Sequence, residues 1–332
     1  MTAVTHARVV GHASGETSRE SIVTARYTWA IGALTLAADA LVFLAGPPSA
    51  ALGTAFAVAA VAFVGLPHGA YDLEVARRLL SARLGRWWWL IFGSAYLAIA
   101  VVGIGLWLAL PIAGLVLLLV GGAMHWGLDD LEHVPRGSIK QAWLALSRGA
   151  ISVAAPLAFH PQVVAEVFAA LLGVATVDAG VVRTAGIAWM LLAVPGVVAS
   201  LVLAARVERA SALRGTFEIA VLIAWFAAAP PVLAFAVYFC FWHSVRHSIR
   251  SALGATPQLG LWASARRYLL ATAMPTVLTL VLAAVGFFAL QHSEGLLEVA
   301  WQVIFVGLFA LTVPHVILEW FEHRAARQAQ PS

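Results

Sequence analysis

Apolar runs of about twenty residues recur along the whole chain, and a helix of that length crosses the hydrocarbon core of a bilayer. They fall at 27–46, 50–68, 87–109, 111–128, 142–174, 181–205, 216–229, 231–250, 267–290 and 298–320, each bounded by glycine, proline or charge. In lipid the backbone must satisfy its own polar groups, so these runs are read as helices. Composition agrees: 62% of the 332 residues are hydrophobic and 11% charged, with a mean hydropathy of +0.90. Soluble domains run at about 45–50% and about 25%. The expected fold is an all-α, polytopic integral membrane bundle of about ten spans. Residues 1–26 form a polar N-terminal segment, 27–320 the transmembrane domain and 321–332 a polar, frayed tail. The N-terminal segment is too long for the n-region of a cleaved signal peptide, so the first run is read as a retained span.

Lys and Arg in short connections set the orientation. Arg19 and Arg26 precede the first run. Arg77, Arg78, Arg83 and Arg86 follow the second, Arg136 and Lys140 the fourth, Arg206, Arg209 and Arg214 the sixth. Arg246, Arg250, Arg266 and Arg267 follow the eighth, Arg324 and Arg327 the tenth, and the alternate connections near Pro47, Pro111, Asp178 and Glu294 carry almost no positive charge. Ten spans with both termini cytoplasmic satisfy this pattern, in the cell membrane. It requires a turn at Pro230-Pro231, where neither ring nitrogen can donate and the residue before a proline avoids the α region. The net charge of +4 therefore belongs to these connections. No dense basic tract or base-reading motif supports a nucleic-acid role. A single cysteine, Cys240, excludes an intrachain disulfide framework and a cysteine-rich metal site.

Four even-numbered runs end in histidine. The segments are Gly65-Leu66-Pro67-His68-Gly69-Ala70-Tyr71-Asp72, Met124-His125-Trp126-Gly127-Leu128-Asp129, Phe241-Trp242-His243-Ser244-Val245-Arg246-His247 and Pro314-His315-Val316-Ile317-Leu318-Glu319. In a helix His243 and His247 share one face. Each first histidine has a polar residue four positions on: Asp72, Asp129, His247 or Glu319. Ionisable groups inside spans are costly and face the bundle interior. Five imidazoles at one depth suit a metal ion, with zinc, copper, iron and nickel all compatible by ligand type. Asp72, Asp129 and Glu319 are outer-shell candidates, paired with histidines of their own or of other helices. Phe239, Phe241 and Trp242 flank this centre as candidate linings of an apolar tunnel. His133, His160, His292 and His323 read as loop or interface residues, and His6 and His12 as tail residues. Asp39 lies in mid-span with no role assigned, and Trp87-Trp88-Trp89 reads as an interfacial anchor.

Other functions fit these residues less well. A di-iron desaturase or hydroxylase uses several HxxxH and HxxHH boxes, whereas this chain has one HxxxH and no adjacent histidine pair. A histidine/acid proton-coupled transporter needs polar groups through the whole membrane thickness, and here they cluster near one face.

The histidine segments, in their order, spacing and membrane setting, resemble the Brp/Blh family of bacterial and archaeal β-carotene 15,15′-dioxygenases over roughly residues 27–320. The resemblance implies that this domain is catalytic, with β-carotene and O2 as substrates. The central double bond is split to give two molecules of retinal. It implies a non-haem Fe(II) held by His68, His125, His243 and His247, with His315 as a pocket or outer-shell residue. A retinal-binding opsin is a candidate partner. A relative that has lost turnover and assists assembly is the non-enzymatic alternative.

Overall fold

The computed structural model describes residues 3–131, 139–291 and 295–329, and every regular element among them is helical. Helix α1 (Ala3–Ala45) begins ahead of the first expected span. The second span is composite. Helix α2 (Ala50–Ala60), capped by Ser49, widens into a π-helical turn at Val61–Gly65 and returns to α geometry in α3 (Leu66–Ala70). The arginine-rich connection that follows is itself a helix, α4 (Asp72–Leu84), ended by Gly85 at φ 54°, a conformation in which a side chain would be strained. A single 3-10 turn then leads into α5 (Trp88–Ala109), and Pro111 starts α6 (Pro111–Asp129).

The expected fifth span, 142–174, is two helices rather than one: α7 (Ile139–Phe159) and α8 (Pro161–Leu172). His160 between them takes φ −128° and ψ 49°, because the ring of Pro161 excludes the α region for its predecessor. At 12 residues α8 is too short to cross a bilayer. Helices α9 (Ala179–Val207) and α10 (Arg209–Ala228) follow. The chain then breaks as expected, with Ala229 and Pro230 extended at ψ 146° and 140°. Helix α11 (Pro231–Ala236) runs through a second π turn, Val237–Ser244, into α12 (Val245–Ala255). Helices α13 (Leu261–Leu290) and α14 (Leu296–Ala329) complete the bundle, α14 continuing into the polar C-terminal segment. Among the described residues eight helical stretches are long and apolar enough to cross a membrane, and one of them, Ala50–Ala109, holds both the second and third expected spans. The expected eighth span is not among the eight, being assembled from α11, the π turn and α12. The connections at Arg136 and Glu294 lie outside the described residues.

Helix α7 is the centre of the bundle: 67% of its most apolar stretch is buried, against 0% for that of α13, whose buried residues Ser264, Tyr268 and Thr272 all lie in its N-terminal part. Small residues allow this. A Cβ on Gly127 would lie 1.8 Å from the Ala145 carbonyl oxygen, and one on Gly149 1.8 Å from that of Ala123, so α6 and α7 touch backbone to backbone. On α9, Gly186 meets the backbone of Leu157 and Ala158, and Gly196 the side chain of Ser147, both on α7. Membrane helices associate through such close van der Waals packing, since lipid tails leave no hydrophobic drive between them. Gly149→Ala is therefore expected to destabilise the protein by about 3 kcal/mol, read as a lowered Tm in detergent. Gly105→Ala, whose Cβ would meet nothing within 4 Å, is the control expected to leave Tm unchanged.

Candidate metal centre

Both π turns lie at one end of the bundle and touch: a Cβ on Gly65 would come 2.8 Å from the ring of Phe239. A π turn shifts the side chains after it around the helix axis and is common at functional sites. Here the first turn immediately precedes His68 on α3, and the second contains His243. The Ser244 hydroxyl donates to the Phe239 carbonyl at 2.7 Å, satisfying an acceptor inside the widened turn.

Around these turns five imidazoles converge, from α3, α6, the second π turn, α12 and α14. Ring centroids lie 4.9 Å apart for His125 and His243, 5.1 Å for His125 and His315, and 5.2 Å for His68 and His243. His247 stands 5.7 Å from His68 and from His315. His68, His125, His243 and His315 are buried, and His247 is half-buried.

Each ring presents Nδ1 to an oxygen. His68 Nδ1 meets the Gly65 carbonyl, and His315 Nδ1 lies 2.8 Å from Asp72 Oδ1. His125 Nδ1 is 3.2 Å from Glu319 Oε2, while His243 and His247 share Asp129 Oδ2 at 3.4 and 3.3 Å. The acids thus serve histidines of other helices. Glu319 also reaches its own-helix neighbour, His315 Nε2, at 3.6 Å. One tautomer, neutral with the hydrogen on Nδ1, suits all five contacts and leaves every Nε2 as a lone-pair acceptor. The Nε2 atoms of His125, His243 and His315 are buried with no hydrogen-bond partner. Leaving such an atom unpaired costs about 1–3 kcal/mol. His68, His125 and His243 can offer ligand atoms within 4.8 Å of one another, as can His125, His315 and Glu319, and Asp129, His247 and Glu319. The donor set therefore fits a metal ion, with carboxylates orienting the imidazoles from behind.

Residues outside the histidine segments build the support. Tyr96 on α5 donates to Asp72 Oδ2 at 3.0 Å, and Tyr268 on α13 to the Pro67 carbonyl at 3.0 Å. Arg250 donates to the Asp129 carbonyl at 2.9 Å. Arg246, counted in the sequence only as an orienting charge, is buried between Asp130 Oδ1 at 3.1 Å and Glu218 Oε1 at 2.8 Å. No spacing signal links Tyr96, Glu218 or Tyr268 to the histidines, because each arrives from a separate helix.

An apolar cavity adjoins the cluster, walled by α6, α7, α8, α11, the second π turn and α14. Phe239 and Trp126 are common to both: Phe239 stacks on His243 at 6.1 Å and meets His68 edge-on at 5.5 Å, and Trp126 lies 6.3 Å from His243. Of the three aromatic candidates only Phe239 lines this cavity. Trp242 is buried, its indole N–H donating to Thr35 Oγ1 on α1 at 3.1 Å, and Phe241 stacks on Phe56 at 6.3 Å. Asp39 is half-buried, both its carboxylate oxygens lacking a hydrogen-bond partner. His160 sits at the α7–α8 break. His133 and His292 lie outside the described residues, as do the side chains of His6, His12 and His323.

A helical membrane bundle that buries a carboxylate-oriented imidazole cluster beside an apolar cavity has the architecture of an integral membrane protein whose histidine-rich cluster is compatible with a metal site. A family model described as Beta-carotene 15,15′-dioxygenase matches residues 59–322, a stretch that includes all five histidines. The chain belongs to that family and is an oxidoreductase of the dioxygenase type. It is 30% identical over 270 residues to a Beta-carotene 15,15′-dioxygenase of the uncultured marine bacterium 66A03, covering 79% of this chain and 91% of the relative. It is 28% identical over 337 residues to a Probable beta-carotene 15,15′-dioxygenase Blh of Halobacterium salinarum, covering 92% and 95%. No solved structure matches.

Asp129 is the acid shared by two histidines, so its replacement tests the supporting layer. Asp129→Asn is expected to weaken divalent-metal affinity about 10–100-fold, measured by competition against a chromogenic chelator.

Proposed function

We propose that this protein cleaves the central 15,15′ double bond of β-carotene with O2, giving two molecules of retinal, at a ferrous ion held by His68, His125, His243 and His247. The single observation that carries this reading is the apolar cavity sharing Phe239 and Trp126 with the imidazole cluster. The reaction balances without a reductant: one carbon–carbon double bond breaks, two carbonyls form, and both oxygen atoms come from O2. A bound iron supplies the binding and activation of O2. The protein's own contribution is placement and dryness. Phe235, Phe239 and Phe305 present a hydrocarbon wall on which a polyene can lie, with ring centroids 5.5 Å apart for the first pair and 5.0 Å for Phe235 and Phe305. Holding the substrate against the centre in one register removes much of the entropic barrier, and an apolar lining keeps water from competing. No side chain needs to take or give a proton in this conversion. Asp72, Asp129 and Glu319 instead hold the rings with Nε2 forward.

We infer that His315 can serve as a fifth ligand beside these four, since its Nε2 is buried without a hydrogen-bond partner while its Nδ1 is held by Asp72. β-Carotene dissolves in the bilayer and enters laterally. Retinal released into the same membrane is available to a retinal-binding opsin. The setting is the cell membrane, with the histidine end toward the cytoplasm.

Expression in a β-carotene-producing bacterium tests the reaction. Loss of orange colour and iron-dependent gain of retinal are expected, and intact carotene in iron-replete, aerated cells would overturn the reading. His68→Ala and His243→Ala should abolish retinal. His315→Ala should lose bound iron as His243→Ala does, by elemental analysis of the purified proteins; retention of parental iron would return His315 to a supporting role. Val232→Trp, which fills the cavity from α11, should lower retinal formation about 100-fold while iron content stays parental.

A further inference from the structure

A second cleft lies at the same end of the bundle as the metal centre, across α12 from it, between α1, α6, α7, α9, α10 and α12. Its charged lining is Arg148, Arg214, Arg246 and Arg250 against Asp130 and Glu218. Three of these arginines are engaged. Arg246 spans Glu218 and Asp130 and donates through Nε to the Trp242 carbonyl at 2.5 Å, and Arg250 donates to the Asp129 carbonyl. Arg214 donates to Ser211 Oγ at 2.8 Å and stands 3.9 Å from Glu208 at the rim.

Arg148 differs. Its side chain is 7% exposed and its ion pair with Asp130 is 3.9 Å long, to a carboxylate already bonded to Arg246. Among the described residues its guanidinium donates no hydrogen bond. A guanidinium carries five donors and never deprotonates, and a buried cation without a close partner is costly. Its planar fork matches the oxygens of a phosphate group. Serine and threonine hydroxyls of α1 (Ser21, Thr24) and the apolar side chains of Leu131, Leu201 and Leu203 complete the lining. Basic clefts between membrane helices, near a membrane face, take phospholipid headgroups.

We propose that this cleft binds the phosphate of an anionic phospholipid, with Arg148 as its principal ligand and Arg214 at the rim. The hydroxyls of Ser21 and Thr24 suit a headgroup, and the leucines the glycerol and the first carbons of the acyl chains. The site is separate from the imidazole cluster and does not depend on what that cluster catalyses.

The experiment is a thermal-shift titration of the full-length, delipidated protein in neutral detergent, with phosphatidylglycerol, phosphatidylcholine or inorganic phosphate added. Phosphatidylglycerol is expected to raise Tm saturably, phosphatidylcholine to raise it less, and inorganic phosphate not at all. Arg148→Gln should weaken the phosphatidylglycerol midpoint about tenfold. Arg214→Gln, at the rim, should weaken it less and serves if the first variant does not fold. Equal shifts by the two lipids in wild type, or an unchanged midpoint in both variants, would overturn the proposal. A shift produced by inorganic phosphate alone would also overturn it, by assigning the cleft to a free anion.

Discussion

The contact on which the site depends is that between an imidazole Nδ1 and an oxygen behind it, made five times over. An imidazole inside a membrane bundle has two ring nitrogens to satisfy and little water to satisfy them with. Fixing one nitrogen on a carboxylate or a carbonyl settles the tautomer and the ring's direction together. It also leaves the other nitrogen pointing inward, unpaired and costly until something fills the space between the rings. Asp72, Asp129 and Glu319 each belong to one histidine-bearing segment and support rings on another. The cluster consequently ties α3, α4, α6, α12 and α14 into one unit, and the helices are held in register by the groups that make the site.

That register needs a rigid scaffold. Helix α7 supplies it by giving up side-chain volume: Gly149, and Gly127 on α6, bring two backbones into contact, Gly186 repeats the arrangement on α9, and Gly196 makes room there for the Ser147 side chain. Peripheral helices such as α13 keep large aliphatic side chains toward the outside. The division of labour is therefore visible in residue size: small where helices meet, large where they end against lipid.

Much of this was legible in the sequence. The helical membrane class followed from run length and hydropathy, and the convergence of His68, His125, His243, His247 and His315 followed from the topology those runs imply. The break at Pro230-Pro231 and the cross-helix pairing of acids with histidines were within reach too. Three things were not. Two prolines, Pro156 and Pro161, interrupt the long run 142–174, yet Pro156 lies inside α7 and only His160-Pro161 divides it, so a proline alone does not locate the break. Tyr96, Glu218 and Tyr268 are isolated residues on helices with no motif, and only tertiary packing brings them to the centre. Phe241 and Trp242 neighbour His243 in sequence, but the π turn and the packing of α1 send them elsewhere, leaving Phe239 alone on the cavity.

The π turns also change the phase of the helices that carry them. Each residue of an α-helix advances about 100° around the axis, so one extra residue in a turn rotates everything beyond it by roughly that angle. The first turn thereby sets the phase of His68 relative to α2, and the second, which contains His243, sets that of His247 relative to α11. A widened turn of this kind acts as a phase joint: the extra residue sets the angle at which the imidazole leaves the helix.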